Sequence, residues 1–159
     1  MINFDSNAGH LVESAAELPD LPPSINELFM DCETTSGSPH EDSLNPWHNC
    51  GIAGIAITWD EMPASYYLPP EPWAYRYVSD ALLRSARWVN HNVKYDAHVI
   101  RNHARYASGD QIAYNHDIEY VDTVVGAKIV DSDRGFSVGY GLDALSEAWL
   151  KQDIGKYEE

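Results

Sequence analysis

The chain has 159 residues, a length that suits one domain with a buried core. Its 10 lysine and arginine residues stand against 25 acidic residues, and the formal net charge of −15 argues against a protein that holds nucleic acid by a basic surface alone. Proteins that bind divalent cations, or that act beside a basic partner domain, remain compatible with this charge.

Hydropathy and cysteine content indicate the cellular location of the protein and the state of its thiols. No apolar run reaches the length of a membrane helix, and the N-terminal residues lack the pattern of a signal peptide, so we expect a cytoplasmic protein without a membrane partner. The cysteines are Cys32 and Cys50, and we expect both to be reduced thiols. A zinc site is the alternative, although its ligand spacing does not match structural zinc sites; it would use Cys32, His40, His48 and Cys50.

The first part of the chain is polar and interrupted by prolines. We interpret residues 1–26 as a lead-in or linker with a short helical piece around 11–18. The remaining residues, 27–159, are then expected to form the main domain.

Strand patterns dominate the next part of the chain. The short apolar run 27–32 has an acidic residue, Asp31, near its end and predicts a buried strand. The turn-forming residues 34–50 predict a loop. The β-branched run 51–59 predicts a second strand, with 65–68 as its hairpin partner.

Helical spacing follows the proline-rich residues 69–72. Apolar residues recur at helical intervals over 77–86, and a short strand pattern at 88–89 follows. Further helices are predicted over 93–104, 122–130 and 141–150. Strands that come first and helices that alternate later indicate an α/β domain with a mixed sheet.

The sharpest chemical pattern is the pair Asp31 and Glu33 at the end of the first predicted strand. Residues i and i+2 of a strand point to the same face, so both carboxylates project together. Two acids at one place repel each other unless a cation lies between them, and Mg²⁺ or Mn²⁺ is the usual solution. The alternative is a strand end that runs into a solvated acidic loop.

A second polar group opens the helix predicted from residue 93. Asp96 lies in the first turn of this helix, and Asn92 comes just before it. Both positions are also explained by helix capping, because a helix N-terminus favours negative charge and an asparagine cap.

The order of these motifs resembles a known family. D-x-E at a first strand is followed by N-x-K-Y-D at a helix start, by DTVVGAKIV from Asp122, and by GLDALSEAWL from Gly141. This series is similar to the DEDD superfamily of exonucleases, and in particular to the 3′→5′ proofreading domain of family A DNA polymerases, including bacterial polymerase I and phage relatives. The resemblance implies an RNase H-like mixed sheet flanked by helices.

The resemblance also implies roles for individual residues. It places three of the family's four metal-binding acids, which hold two Mg²⁺ or Mn²⁺ ions, at Asp31, Glu33 and Asp96. It places residues that hold the single-stranded 3′ end at Thr34, Asn92 and Tyr95. Asp122 is either a further ligand or a structural residue that orients the helix after it.

One family motif has no counterpart in this sequence. The motif is a Tyr or His shortly before the fourth acid, and it would follow the predicted helix 141–150. We therefore expect the exonuclease domain over 27–159 to be incomplete at its C-terminus and to degrade DNA poorly by itself.

The implied partners are a single-stranded DNA 3′ end and a polymerase domain, in cis or as a separate chain. Two alternatives stay open. One is an RNA-trimming exonuclease of the same superfamily, and the other is a non-catalytic module that uses the fold as a docking surface.

Overall fold

The protein is described by a computed structural model that covers residues 9–36, 50–106, 112–113, 115–134 and 139–151. Within these residues one mixed sheet contains β1 Gly9–Leu11, β2 Ile25–Ser36, β3 Cys50–Trp59, β4 Ser65–Leu68, β5 Ser85–Asn90 and β6 Glu119–Asp122. The strand order is β1-β4-β3-β2-β5-β6. The strands β2, β3 and β4 are antiparallel neighbours, whereas β2, β5 and β6 run parallel.

The helices are α1 Pro72–Arg84, α2 Val93–Tyr106, α3 Thr123–Val130 and α4 Leu142–Leu145, and α4 continues into a π-helical turn, Ser146–Leu150. Pro72 lies at the start of α1, where its fixed φ favours the helix and its missing N–H costs no hydrogen bond. Both α1 and α2 pack against β2.

Side chains alternate along β2 between a buried and an exposed face. Leu28, Met30 and Cys32 are buried, and Asp31 and Glu33 between and beyond them are exposed. This alternation follows from the two-residue period of a strand, and it brings both acids to the same face, as the sequence predicted.

Most predicted elements are confirmed with shifted ends. The strands predicted at 51–59 and 65–68 are β3 and β4, and they pair as a hairpin. The helix predicted at 77–86 begins five residues earlier, at Pro72, and ends at Arg84 because β5 starts there. The strand predicted at 27–32 extends from Ile25 to Ser36, so its last residues were wrongly assigned to a loop.

The part of the chain predicted to be a linker contributes to the sheet and the core. Gly9–Leu11 forms the edge strand β1 beside β4, and Val12 and Ile25 are almost fully buried. The helix predicted around 11–18 is limited to a 3₁₀ turn at Ala15–Glu17. The linker and helix predictions were therefore wrong for residues 9–26, because the edge pairing of β1 leaves no local pattern in the sequence.

Some predictions fall on residues outside the described ranges. They include most of the predicted loop, 37–49, and with it His40 and His48 of the zinc alternative. In the described part of the chain, none of the helices combines the length and the apolar character that crossing a membrane requires.

Candidate active site

The candidate site lies at the carboxyl end of β5, beside the middle of β2, where the pairing of β2 with β5 ends. Asn90 is the last residue of β5 and pairs with Asp122, the last residue of β6. Asp31 lies just beyond the region where β2 pairs with β5, and α2 begins with Val93 directly after the turn that follows Asn90. Polar groups from separate parts of the chain therefore meet where parallel strands end, the usual place for sites in α/β sheets.

Asp96 is the most buried acidic residue of this group, with 3% of its surface exposed. Its Oδ1 accepts a hydrogen bond of 2.9 Å from the backbone N–H of Cys32, and its Oδ2 accepts one of 2.7 Å from Nδ2 of Asn90. Burial, and secondly the nearby negative charge of Asp31, raise the pKa of Asp96 to about 7. The carboxyl group is thus costly to ionise in the absence of a cation.

Asp31 is joined to Asp96 through one side chain. Nδ2 of Asn90 donates a hydrogen bond of 3.2 Å to Oδ1 of Asp31 as well as the bond to Asp96. Two of the acids predicted from sequence are therefore brought together, although they are far apart in the chain. Asn90 was not among the residues predicted from the sequence, because no local pattern distinguishes it from any other polar residue at the end of a strand.

Glu33 lies two residues further along the same face of β2, with its side chain exposed. Opposite Glu33, Gly54 of β3 makes room for a neighbouring ring, since a Cβ there would collide with the Tyr67 side chain. The β2–β3 register shifts just after Glu33, and such bulges often lie beside active sites. In the described residues, no group of three or more His, Cys, Asp or Glu side chains is arranged to hold a metal ion, so Glu33 does not complete a preformed set with Asp31 and Asp96.

Two residues predicted to hold the 3′ end of a strand contact each other. The hydroxyls of Thr34 and Tyr95 are 3.0 Å apart and share a hydrogen bond. Tyr95 is half-buried and packs against the hydrophobic core. The contact fixes the end of β2 against the first turn of α2, one residue from each of Glu33 and Asp96.

The turn between β5 and α2 forms hydrogen bonds with residues near the start of α3 and just before α4. Nε2 of His91 donates to the backbone oxygen of Tyr140 at 2.8 Å, and Nδ1 of His91 shares a hydrogen bond of 2.9 Å with the Thr123 hydroxyl. Asn92, predicted to contact the substrate, is exposed and has a positive φ of 67°, a conformation that asparagine tolerates better than most residues. Its backbone N–H donates to Oδ1 of Asp122 at 3.0 Å.

Asp122 acts in the structure as a capping residue. Its Oδ1 accepts hydrogen bonds of 3.0 Å from the N–H of Val124, at the start of α3, and from the N–H of Asn92. These contacts correspond to the structural alternative that the sequence left open for this residue.

We expect the Asp122→Ala variant to lose about 1–2 kcal/mol of unfolding free energy, because a helix cap and the anchor of the β5–α2 turn are removed together. Urea unfolding followed by circular dichroism measures this loss, and Asp117→Ala, in the exposed turn before β6, is the matched control. A variant of unchanged stability that binds Mn²⁺ less tightly would instead identify Asp122 as a ligand.

The donor groups of Asp31 and Asp96 are suited to a hard divalent cation. Carboxylate oxygens are the ligands that Mg²⁺ and Mn²⁺ prefer, and a positive charge beside Asp96 would remove the cost of ionising it. The side chains that would hold such an ion are Asp31 and Asp96, with Glu33 on the same face.

No family model and no curated protein matches the sequence. Among solved structures, the chain is similar to the Nibbler EXO domain of Aedes aegypti, with a TM-score of 0.60 and 13% identity over 98% of this chain and 74% of that one. It is also similar to RNase D of Trypanosoma brucei, with a TM-score of 0.52 and 11% identity over 84% of this chain and 43% of that one. The mixed six-stranded sheet with flanking helices is therefore an RNase H-like fold, as the sequence predicted.

Proposed function

We propose that this protein is a metal-dependent 3′→5′ exonuclease that removes nucleotides from single-stranded 3′ ends. The observation that carries this proposal is the meeting of Asp31 and Asp96 where the pairing of β2 with β5 ends, in a fold shared with exonuclease domains. A structural role alone does not explain a carboxyl group that is buried beside a second acid.

In this proposal the acidic residues bind the metal ion and the 3′ end, and residues near the end of β2 keep that strand in position. Asp31 and Asp96 hold Mg²⁺ or Mn²⁺, and Glu33, exposed on the same face, orients the 3′ hydroxyl of the terminal sugar. Such ions lower the pKa of bound water and stabilise the charge that develops on the phosphate. The Thr34–Tyr95 contact keeps the end of β2 in place beside α2.

The substrate of the proposed enzyme is DNA, and its partner is a polymerase domain in cis or in a separate chain. Support comes from the motif series that resembles family A proofreading domains, from Asp31 to the helix that begins after Gly141. An RNA substrate is the second candidate, and the observation that favours it is the similarity to RNase D.

The test uses single-stranded DNA and RNA of the same sequence, labelled at the 5′ end, with a 3′ hydroxyl or a 3′ phosphate. With Mg²⁺ or Mn²⁺ we expect products shortened stepwise from the 3′ hydroxyl, slower removal from the 3′ phosphate, and no cleavage in EDTA. Faster degradation of DNA supports the polymerase-associated function, and faster degradation of RNA supports RNA trimming.

Two other outcomes contradict the proposal. Cleavage that starts inside the strand, or that persists in EDTA, would exclude a metal-dependent exonuclease. A protein that binds Mn²⁺ but cleaves neither substrate would instead be the non-catalytic module that uses the fold as a docking surface.

A further inference from the structure

We propose that Asn90 is a positioning residue, whose side-chain amide holds the carboxylates of Asp31 and Asp96 beside each other, so that both can bind one divalent cation. The inference deepens the proposed function and rests on its metal site. It arises from a contact that none of the sequence motifs contains: one nitrogen atom within hydrogen-bond distance of both acids.

The orientation of the Asn90 amide follows from its surroundings. Its Oδ1 accepts a hydrogen bond of 2.6 Å from the backbone N–H of His91, so the NH₂ group must point to the other side. On that side lie Oδ1 of Asp31 at 3.2 Å and Oδ2 of Asp96 at 2.7 Å, and both can only accept when ionised. The amide therefore has one hydrogen to donate to each of the two carboxylates.

Asp96 is held from a second direction as well. Its other oxygen accepts from the backbone N–H of Cys32 on β2, so both oxygens of the carboxylate have a fixed partner. Asp31 is more exposed, and within the described residues the contact that limits its side chain is the one with Asn90. Removal of the amide would therefore free Asp31 more than Asp96, and the repulsion between the two acids would drive them apart.

The contacts with Asn90 leave both acids able to bind a cation. A carboxylate oxygen has about two lone-pair sites, and each bond to Asn90 uses one of them. Groups that orient metal ligands in this way typically contribute about 10- to 100-fold to metal affinity.

The experiment measures Mn²⁺ binding by isothermal titration calorimetry, and melting temperature in EDTA, for the wild-type protein and for variants. We expect Asn90→Ala to weaken Mn²⁺ binding by about 10- to 100-fold. Asn26→Ala is the matched control, because Asn26 is an exposed asparagine at the other end of β2 that contacts Arg87. It should bind Mn²⁺ like the wild type.

The variant Asn90→Asp tests whether Asn90 positions the two acids or only fills space, since the substitution preserves the size of the side chain. The new carboxylate cannot donate to Asp31 or Asp96 and adds a third negative charge beside them. We expect a lower melting temperature in EDTA than the wild type and a larger upward shift with Mn²⁺. If Asn90 only packed, both Asn90 variants would lower the melting temperature and leave the Mn²⁺ affinity unchanged.

The outcomes distinguish this inference from the proposed function. If the wild type binds Mn²⁺ and Asn90→Ala binds it equally well, the role of Asn90 is refuted and the exonuclease proposal is unaffected. If the wild type itself binds no Mn²⁺, the metal site is refuted, and the role of Asn90 is refuted with it. As a reference for lost binding, the double variant Asp31→Ala and Asp96→Ala should bind no Mn²⁺ at the site.

Discussion

Replacement of Asp31 or Asp96 by asparagine is expected to reduce Mn²⁺-dependent removal of 3′-terminal nucleotides by about 10³-fold or more. Each substitution preserves the size of the side chain and removes one negative ligand. Stabilisation of the reacting phosphate by a bound ion amounts to several kcal/mol, and each 1.36 kcal/mol corresponds to about a tenfold change in rate.

The measurement is single-turnover degradation of a labelled oligonucleotide with protein in excess, because we expect the wild-type rate to be low. Asp80→Asn, an exposed acid on α1, is the control and should retain the wild-type rate. A higher Mn²⁺ concentration should restore part of the activity of Asp31→Asn, since the loss of one ligand weakens binding. Activity of Asp96→Asn within about tenfold of the wild type would contradict a role for Asp96 in holding the ion.

The second large effect concerns stability and pH in the absence of metal. In the folded protein the pKa of Asp96 is raised from its usual value of 3.8 to about 7. Below about pH 4 the group is protonated in both the folded and the unfolded state, and it costs no stability. Between pH 4 and pH 7 the unfolded chain loses this proton first, so the unfolding free energy falls as the pH rises, and above pH 7 the full cost remains.

We expect this fall to be on the order of 4 kcal/mol in EDTA, since the pKa rises from 3.8 to about 7 and one pKa unit corresponds to about 1.4 kcal/mol. Asp96→Asn has no such proton, so its unfolding free energy should show a smaller fall over this pH range. Urea unfolding of both proteins from pH 4 to pH 8 measures how the unfolding free energy depends on pH. The difference between the two proteins is the contribution of Asp96, because repulsion among the other acids is present in both. The same pH dependence in both proteins would refute the assignment to Asp96.

The local parts of the fold could be predicted because their signals lie within a few residues of one another. The β-branched run of β3 indicates a buried strand, and the apolar spacing of α2 indicates a helix with one buried face. The structure confirms both elements. In the same way, the two-residue period of a strand was sufficient to predict that Asp31 and Glu33 share a face.

Edge pairing could not be predicted in this way. The strands β1 and β6 are short. They form because β1 pairs with β4 and β6 pairs with β5, and their own residues do not indicate these partners. The same reason explains why residues 34–36 were assigned to a loop. Their polar side chains are typical of a loop, but β3 pairs with them over Thr34–Ser36.

The sequence by itself determined the candidate acids of the site and the order of the motifs that contain them. Only the tertiary structure decided which of these acids meet: Asp31 and Asp96 share the amide of Asn90, whereas Asp122 caps a helix and anchors a turn. The physical reason is that these contacts join the ends of separate strands and the start of a helix. Their partners depend on strand order and register, which arise when distant segments pair and leave no periodic pattern in the chain.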